Sequence, residues 1–315
     1  MRRRDFIKVI GGTVAWPLAA RAQQQEKIRR VGVLISLSAS DPEMKGRLET
    51  FRKRLQELGW AEGNIRIDYR FAAGDATRLR ADAAELVGSN PAVIVANGTA
   101  ALRVLHQATR SIPIVFSQVV DPVSEGFVAS LARPGGNVTG FTNFEYAMGA
   151  KWLELLKEIA PRTTKALFVF NPQTAFGQGY LGAAKSVGSF LRVESIPGPV
   201  HDAAQIEQSI ASFAAQPNGG VVALPDPFVA VHRDVLVAAA NRHLLPAIYP
   251  YRYFVTDGGL MSYGINTVEL YRQVASYVDR VLRGDSPSNL PVQAPTKFEA
   301  IINLKTAKVL GLQPR

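Results

Sequence analysis

IPIVFSQVVDPVSEGFVASLARPGGNVTG, residues 112–140, opens with an apolar, β-branched run from Ile112 to Phe116 that has the length of a strand. The run ends in small polar residues at Ser117 and Gln118. Asp121 and Pro122 then read as a helix start, an N-cap acceptor followed by proline at the first helical position. Val123, Phe127, Val128 and Leu131 share one face of the expected helix. The segment closes on RPGGNVTG, residues 133–140, whose paired glycines permit backbone angles that other residues resist. Ligands of open α/β sheets bind outside the carboxyl ends of the strands. The stretch therefore predicts one rim of a ligand cleft, with a hinge at Gly136, Asn137, Val138, Thr139 and Gly140.

Outward from it, the same alternation runs along the chain. Residues 30–36, 64–71 and 91–96 are strands of apolar or alternating character, and helical spacing separates them. Beyond Gly140 the pattern restarts, with strands at 165–170, 191–196, 220–224, 245–249 and 260–263 and a long helix at 267–282. Asp226 and Pro227 repeat the Asp121–Pro122 device at a strand's end, ahead of a helix expected to reach His243. Continuous apolar strands between amphipathic helices predict parallel sheets covered on both faces. The fold class is α/β, in two consecutive units with a glycine-rich crossing between them.

The 315 residues suit two domains, and a 47% apolar fraction describes a globular chain. The N-terminus has a charged region, a short apolar stretch and Ala20-Arg21-Ala22, which together predict an export signal cleaved after Ala22. Arg3-Arg4-Asp5-Phe6-Ile7-Lys8 matches the twin-arginine pattern. Removing residues 1–22 takes five basic residues and one acid from totals of 36 and 26, so the net charge falls from +10 to +6. That remainder is dispersed, which argues against nucleic acid as a partner. With zero cysteines there is neither a lipid-anchor site nor a disulfide. A periplasmic monomer without a lipid anchor is expected.

Gly177-Gln178-Gly179-Tyr180-Leu181-Gly182 spells a dinucleotide fingerprint, but it falls too far behind the strand ending near Phe170, with Pro172 between. It suits a helix start better, although a secreted Rossmann-like, nucleotide-dependent enzyme is the alternative it leaves open. The four histidines share no metal spacing, and no nucleophile elbow or P-loop occurs. No cofactor or metal is expected. What remains is a set of polar groups at strand ends: Ser36, Ser38, Asn97, Gly98, Thr99, Ser117, Asp121, Asn171, Asp226, Tyr249, Tyr251, Ser262 and Tyr263. Hydroxyls, amides and helix N-termini suit a carboxylate, an aspartate suits an ammonium, and tyrosines offer flat walls. Such a set binds rather than catalyses.

NGT at residues 97–99, IPIVF followed by DPV at 121–123, RPGGNVTG, and FEAIINLKTAKVLGL at 298–312 resemble the ABC transporter substrate-binding protein family. These are relatives of the components that bind tryptophan and other aromatic or branched-chain amino acids. The resemblance implies a type I periplasmic-binding-protein fold: two doubly wound lobes joined by three hinge crossings that close on one small ligand. It implies no enzyme activity, and it implies ABC permease subunits as partners. The crossings map onto 136–141, 263–266 and 286–290. The first lobe is then 28–140 with 266–286, and the second is 141–265 with 287–315. The first loop, residues 36–41, holds no arginine to clamp a carboxylate.

Overall fold

The computed structural model describes residues 28–173 and 177–313. The expected export signal lies outside the described residues. The chain begins with β1 (Arg29–Ile35), α1 (Pro42–Glu57), β2 (Ile65–Phe71), α2 (Ala76–Gly88), β3 (Val93–Asn97), α3 (Thr99–Ala108), β4 (Ile114–Val119) and β5 (Val138–Thr142). The five strands form one wholly parallel sheet in the order β2-β1-β3-β4-β5. Continuous apolar strands make this possible, because side chains are buried on both faces. Val31, Val33 and Ile35 share a core with Met44, Leu48 and Phe51 of α1. Leu34, Ile94 and Ile114 share another with Leu79, Leu86 and Leu102 from α2 and α3.

The second unit comprises α4 (Met148–Ile159), β6 (Lys165–Phe170), α5 (Gly177–Leu191), β7 (Glu194–Pro199), α6 (Ala203–Ala214), β8 (Gly219–Ala223), α7 (Pro227–Val231), α8 (Arg233–Arg242), β9 (Ala247–Tyr249), α9 (Arg252–Thr256) and β10 (Met261–Gly264). After α10 (Thr267–Leu282), β11 (Glu299–Ile302) and α11 (Leu304–Val309) complete it. The second sheet runs β11-β10-β9-β8-β6-β7, with only the β10–β11 pair antiparallel. The strand expected at 191–196 starts at Glu194 and runs to Pro199 at the sheet's edge, where prolines are tolerated.

α10 belongs with the first sheet although it follows β10. Tyr271 is fully buried, Trp60 Nε1 donates to Asp279 Oδ1 at 2.8 Å, and Arg54 Nε donates to Ser276 Oγ at 3.4 Å. Residues 290–293 stay there too: Thr139 Oγ1 donates to the Leu290 carbonyl at 2.6 Å, and Gln293 N donates to the Gly140 carbonyl at 2.9 Å. The chain therefore passes between the sheets at 143–147, 265–266 and 294–298.

Two of these positions correct the sequence reading. Residues 136–140 lead into β5 and are part of the first sheet, so the first crossing comes after Thr142. Gly140 is there for close packing: it sits at φ +151°, and a Cβ would lie 2.1 Å from the Phe116 carbonyl oxygen. The third crossing follows residue 293, because 287–293 still pack on β5.

The helix expected after Asp121 is a series of turns. Asp121 has φ +39° and Gly126 φ +73°, both in the left-handed region, where a right-handed helix cannot propagate. Phe127 and Val128 are buried, whereas Val123 and Leu131 are exposed. The helix expected to reach His243 is interrupted at His232, between α7 and α8.

Candidate functional site

At the carboxyl edge of the first sheet, Ser36 Oγ donates to the Asn97 carbonyl at 3.3 Å. Asn97 Nδ2 reaches Ser117 Oγ at 3.4 Å and Gln118 Oε1 at 2.9 Å. Gly98 is the N-cap of α3 and has φ +85°, a conformation that favours glycine. Thr99 is the first residue of α3, and its Oγ1 accepts from Val120 N at 3.3 Å. Gln118 has φ +57° and sits where the β4–β5 register shifts. Backbone held in this region by its surroundings is a feature of ligand-binding edges.

The residue that the sequence reading did not single out is Arg47 of α1, which is 1% exposed. Its Nε donates to Thr267 Oγ1 at 3.1 Å and its Nη1 to Gln118 Oε1 at 3.2 Å. Its Nη2 is buried and has no hydrogen-bond partner among the described residues. Both acceptors are neutral, and arginine keeps its charge in proteins. A buried charge without a counter-charge is costly, so such a group is retained for something other than stability.

Across from it stands the second unit. Tyr253 of α9 lies beneath two guanidinium groups, Arg47 at 5.6 Å and Arg233 of α8 at 5.3 Å from its ring centroid. Arg233 donates from Nη1 to Asp41 Oδ2 at 2.9 Å and from Nε to Asp257 Oδ2 at 2.8 Å. Asp41 is the N-cap of α1, the helix that carries Arg47, and so this ion pair joins the two units. Burial opposes the Arg233 charge, but Asp257 and Asp41 outweigh it and hold its pKa above the ordinary value.

Tyr251 accepts at its hydroxyl from Asn143 Nδ2 at 3.2 Å. Burial raises its phenol, while hydrogen bonds with Asn143 and Gln118 act the other way. Gln118 Oε1 thus ties Asn97 to Arg47. Asp226 caps α7 through Phe228 N at 2.7 Å and Val229 N at 3.3 Å, as expected, and its charge is felt at Tyr251.

Not every expected residue joins this group. Ser38 pairs with Ser40, Asn171 Oδ1 accepts from Gln173 N in the turn after β6, and Tyr249 is a core residue stacked on Phe254 at 4.9 Å. Ser262 is buried within β10, and Tyr263 stacks on Phe298 of the third crossing at 5.7 Å. Asp121 accepts from Ser124 N at 3.1 Å and helps raise the phenol of Tyr146, after burial. The glycines of the dinucleotide-like motif open α5, and the first and second of them face aromatic rings. A Cβ on Gly177 would lie 2.3 Å from the Phe170 ring, and one on Gly179 would lie 2.4 Å from the Tyr146 ring. They serve packing.

A family model for the ABC transporter substrate binding protein matches residues 30–315. The chain belongs to that family. A tyrosine-binding protein of Clostridioides difficile (strain R20291) is 28% identical over 292 residues, covering 91% of this chain and 82% of that protein. A conserved domain protein from Vibrio cholerae O1 biovar El Tor str. N16961 superposes with a TM-score of 0.84 at 28% identity, covering 91% and 96% of the two chains. The ligand-free, open structure of a substrate-binding protein with adhesive properties from Clostridium difficile gives 0.69 at 26% identity over 91% and 96%. The fold is that of type I periplasmic binding proteins, and the family consists of binding proteins, not enzymes. Its members take up a small solute and work with the permease of an ABC transporter. Among the described residues no helix is long and apolar enough to cross a membrane.

Proposed function

We propose that this protein is the extracytoplasmic receptor of an ABC importer and closes over an amino acid whose carboxylate pairs with Arg47. The observation that carries this reading is the buried guanidinium with a nitrogen left unpartnered, at the meeting of the two lobes. Arginine matches a carboxylate in a two-pronged geometry that a lysine cannot offer. The tyrosine-binding relative supports an amino acid as the ligand class. Ser36, Asn97, Gly98, Thr99, Ser117 and Gln118 form the first-lobe wall, and Asn143, Asp226 and Tyr251 the facing one. Asp226 supplies the negative field that an α-ammonium group favours.

The lobes that close are 28–142 with 267–293, and 148–264 with 298–313. The segment 1–22 exports the chain to the periplasm and is removed there. Hinge closure follows from contacts that the ligand makes with both lobes, since a ligand stabilises whichever state it binds better.

Calorimetry on the chain from residue 23 tests the reading with L-tyrosine, L-tryptophan, L-phenylalanine and L-leucine, each beside its decarboxylated amine. Binding of at least one amino acid with no detectable binding of its amine is the expected result. An amine that binds as tightly as its parent acid overturns the assignment of Arg47.

A further inference from the structure

The three nitrogens of the Arg47 guanidinium differ in their surroundings. Nε donates to Thr267 Oγ1 at 3.1 Å, Nη1 donates to Gln118 Oε1 at 3.2 Å, and Nη2 is buried without a partner among the described residues. An arginine only donates, so the Gln118 atom that faces it is the amide oxygen. That oxygen also accepts from Asn97 Nδ2 at 2.9 Å, which occupies both of its lone pairs. Thr267 and Gln118 therefore fix two sides of the guanidinium plane and leave the third to a further acceptor. Neither of them brings a negative charge.

The backbone of Gln118 is unfavourable for its residue type. Its φ of +57° lies in the left-handed region, which glycine and asparagine enter more readily than glutamine. Asn90, Arg192 and Leu244 share that region, but each follows the end of a helix, where a left-handed residue is common. Gln118 is instead inside β4, where the pairing with β5 shifts between Ser117 and Val119. A bulge of this kind re-aims a side chain. Here it delivers the Gln118 amide to Arg47.

We propose that Gln118 is a positioning residue that sets the charge preference of the site: it orients Arg47 without neutralising it, and so reserves the guanidinium for a solute that carries a carboxylate. This rests on the reading of Arg47 above and deepens it. Glutamate has the same length as glutamine and differs in one terminal group, an oxygen in place of NH2. At position 118 it would give Arg47 an internal counter-charge, in the manner of Arg233 with its two aspartates. That pair would stabilise the ligand-free protein, because a buried charge is costly only while it lacks a counter-charge. An arriving carboxylate would then meet a neutralised arginine and a like charge beside it.

The test pairs this change in the protein with its counterpart in the ligand. Calorimetry compares L-tyrosine, L-tryptophan, L-phenylalanine and L-leucine with their primary carboxamides, on the wild type, Gln118→Glu and Gln118→Met. A carboxamide keeps the shape of the carboxylate and lacks its charge, so each comparison closes a double-mutant cycle in which one partner is the ligand. In the wild type, an acid that binds should do so at least about 100-fold more tightly than its carboxamide. In Gln118→Glu that preference should fall at least about thirtyfold, and the ligand-free melting temperature should rise. Gln118→Met leaves Arg47 its charge but removes one anchor and strands two donors. The acid alone should weaken, by about fivefold, and the melting temperature should fall. Equal losses for acid and carboxamide in the variants would mark Gln118 as merely structural and overturn the proposal, as would a Gln118→Glu protein with the wild-type preference. If Gln118→Glu does not fold, Gln118→Met decides: a loss confined to the acid supports the proposal, and an equal loss or none overturns it. Failure in the variants alone leaves the reading of Arg47 standing. If acid and carboxamide bind the wild type equally, or none of the four amino acids binds, both fall.

Discussion

Arg47 and Arg233 lie over the same tyrosine ring and come from different lobes, yet their surroundings are opposite. Arg233 has two carboxylates, Asp257 from its own lobe and Asp41 from the other. Arg47 has a hydroxyl, an amide carbonyl and an unpartnered nitrogen. The first arrangement is self-sufficient and explains how the lobes hold together: charge is neutralised within the protein, and the stacked Tyr253 adds a cation–π contact. The second is incomplete as a piece of protein architecture. A fold gains nothing by burying a charge with only neutral partners, because well-packed apolar residues of similar volume are as stable or more so. One arginine is a clasp, and the other waits for an anion.

The strongest way to break this comparison is Arg47→Met. Methionine keeps much of the volume of the side chain without its charge, and Gln118 retains its bond from Asn97. Ligand affinity should fall at least about 100-fold, consistent with losing a buried charge-assisted pair. The melting temperature of the ligand-free protein should stay level or rise, checked by calorimetry. A variant that loses stability as well as affinity would mean that Arg47 is a structural residue and that the contrast with Arg233 is false.

Arg233→Met should act more weakly and through a different rate. The clasp forms as the lobes meet, so its loss should leave association nearly unchanged and speed dissociation by about tenfold, read by stopped-flow fluorescence. The same variant should lose most of the salt sensitivity of dissociation. Asp41→Asn sharpens the point, because asparagine caps a helix about as well as aspartate. It should keep α1 capped at Met44 N and reproduce a good part of the faster dissociation.

The fold was readable because its signals are local. Residues 93–96 and 166–170 are continuous apolar runs and are buried as such. The two Asp-Pro pairs show where local reading stops. Asp226-Pro227 starts a helix as expected. Asp121-Pro122 does not, because Gly126 and the left-handed Asp121 turn the same device into a loop. Arg47 was legible in principle: it is three residues after Met44 and four before Phe51, on the face that reads as core. A charge in an apolar stripe is the signal, and it lies on the helix rather than in the loop at 36–41. Arg233, Tyr253 and Asp41 could not have been linked from sequence, since their meeting depends on how two separately folded sheets face one another across 192 residues.

The smallest effect concerns the ring that the two arginines share. Burial raises the Tyr253 phenol far above its ordinary value, with the nearby phenol of Tyr251 adding to it and the two arginines opposing. The fold therefore holds the proton more tightly than the unfolded chain does. The neutral phenol's contribution is fully present below the unfolded pKa, about 10, and is lost as pH rises above it. Tyr253→Phe keeps a ring of nearly the same size beneath both guanidinium groups, so affinity and dissociation at pH 7 should change by less than about twofold. Above pH 10, by contrast, it should remove one proton from the linkage and reduce the alkaline loss of stability by about 1.4 kcal/mol per pH unit. Urea melts at pH 7, 10 and 11 separate these outcomes. If Tyr253→Phe weakened binding at pH 7 as much as Arg233→Met does, the hydroxyl and not the ring face would be what joins the two arginines.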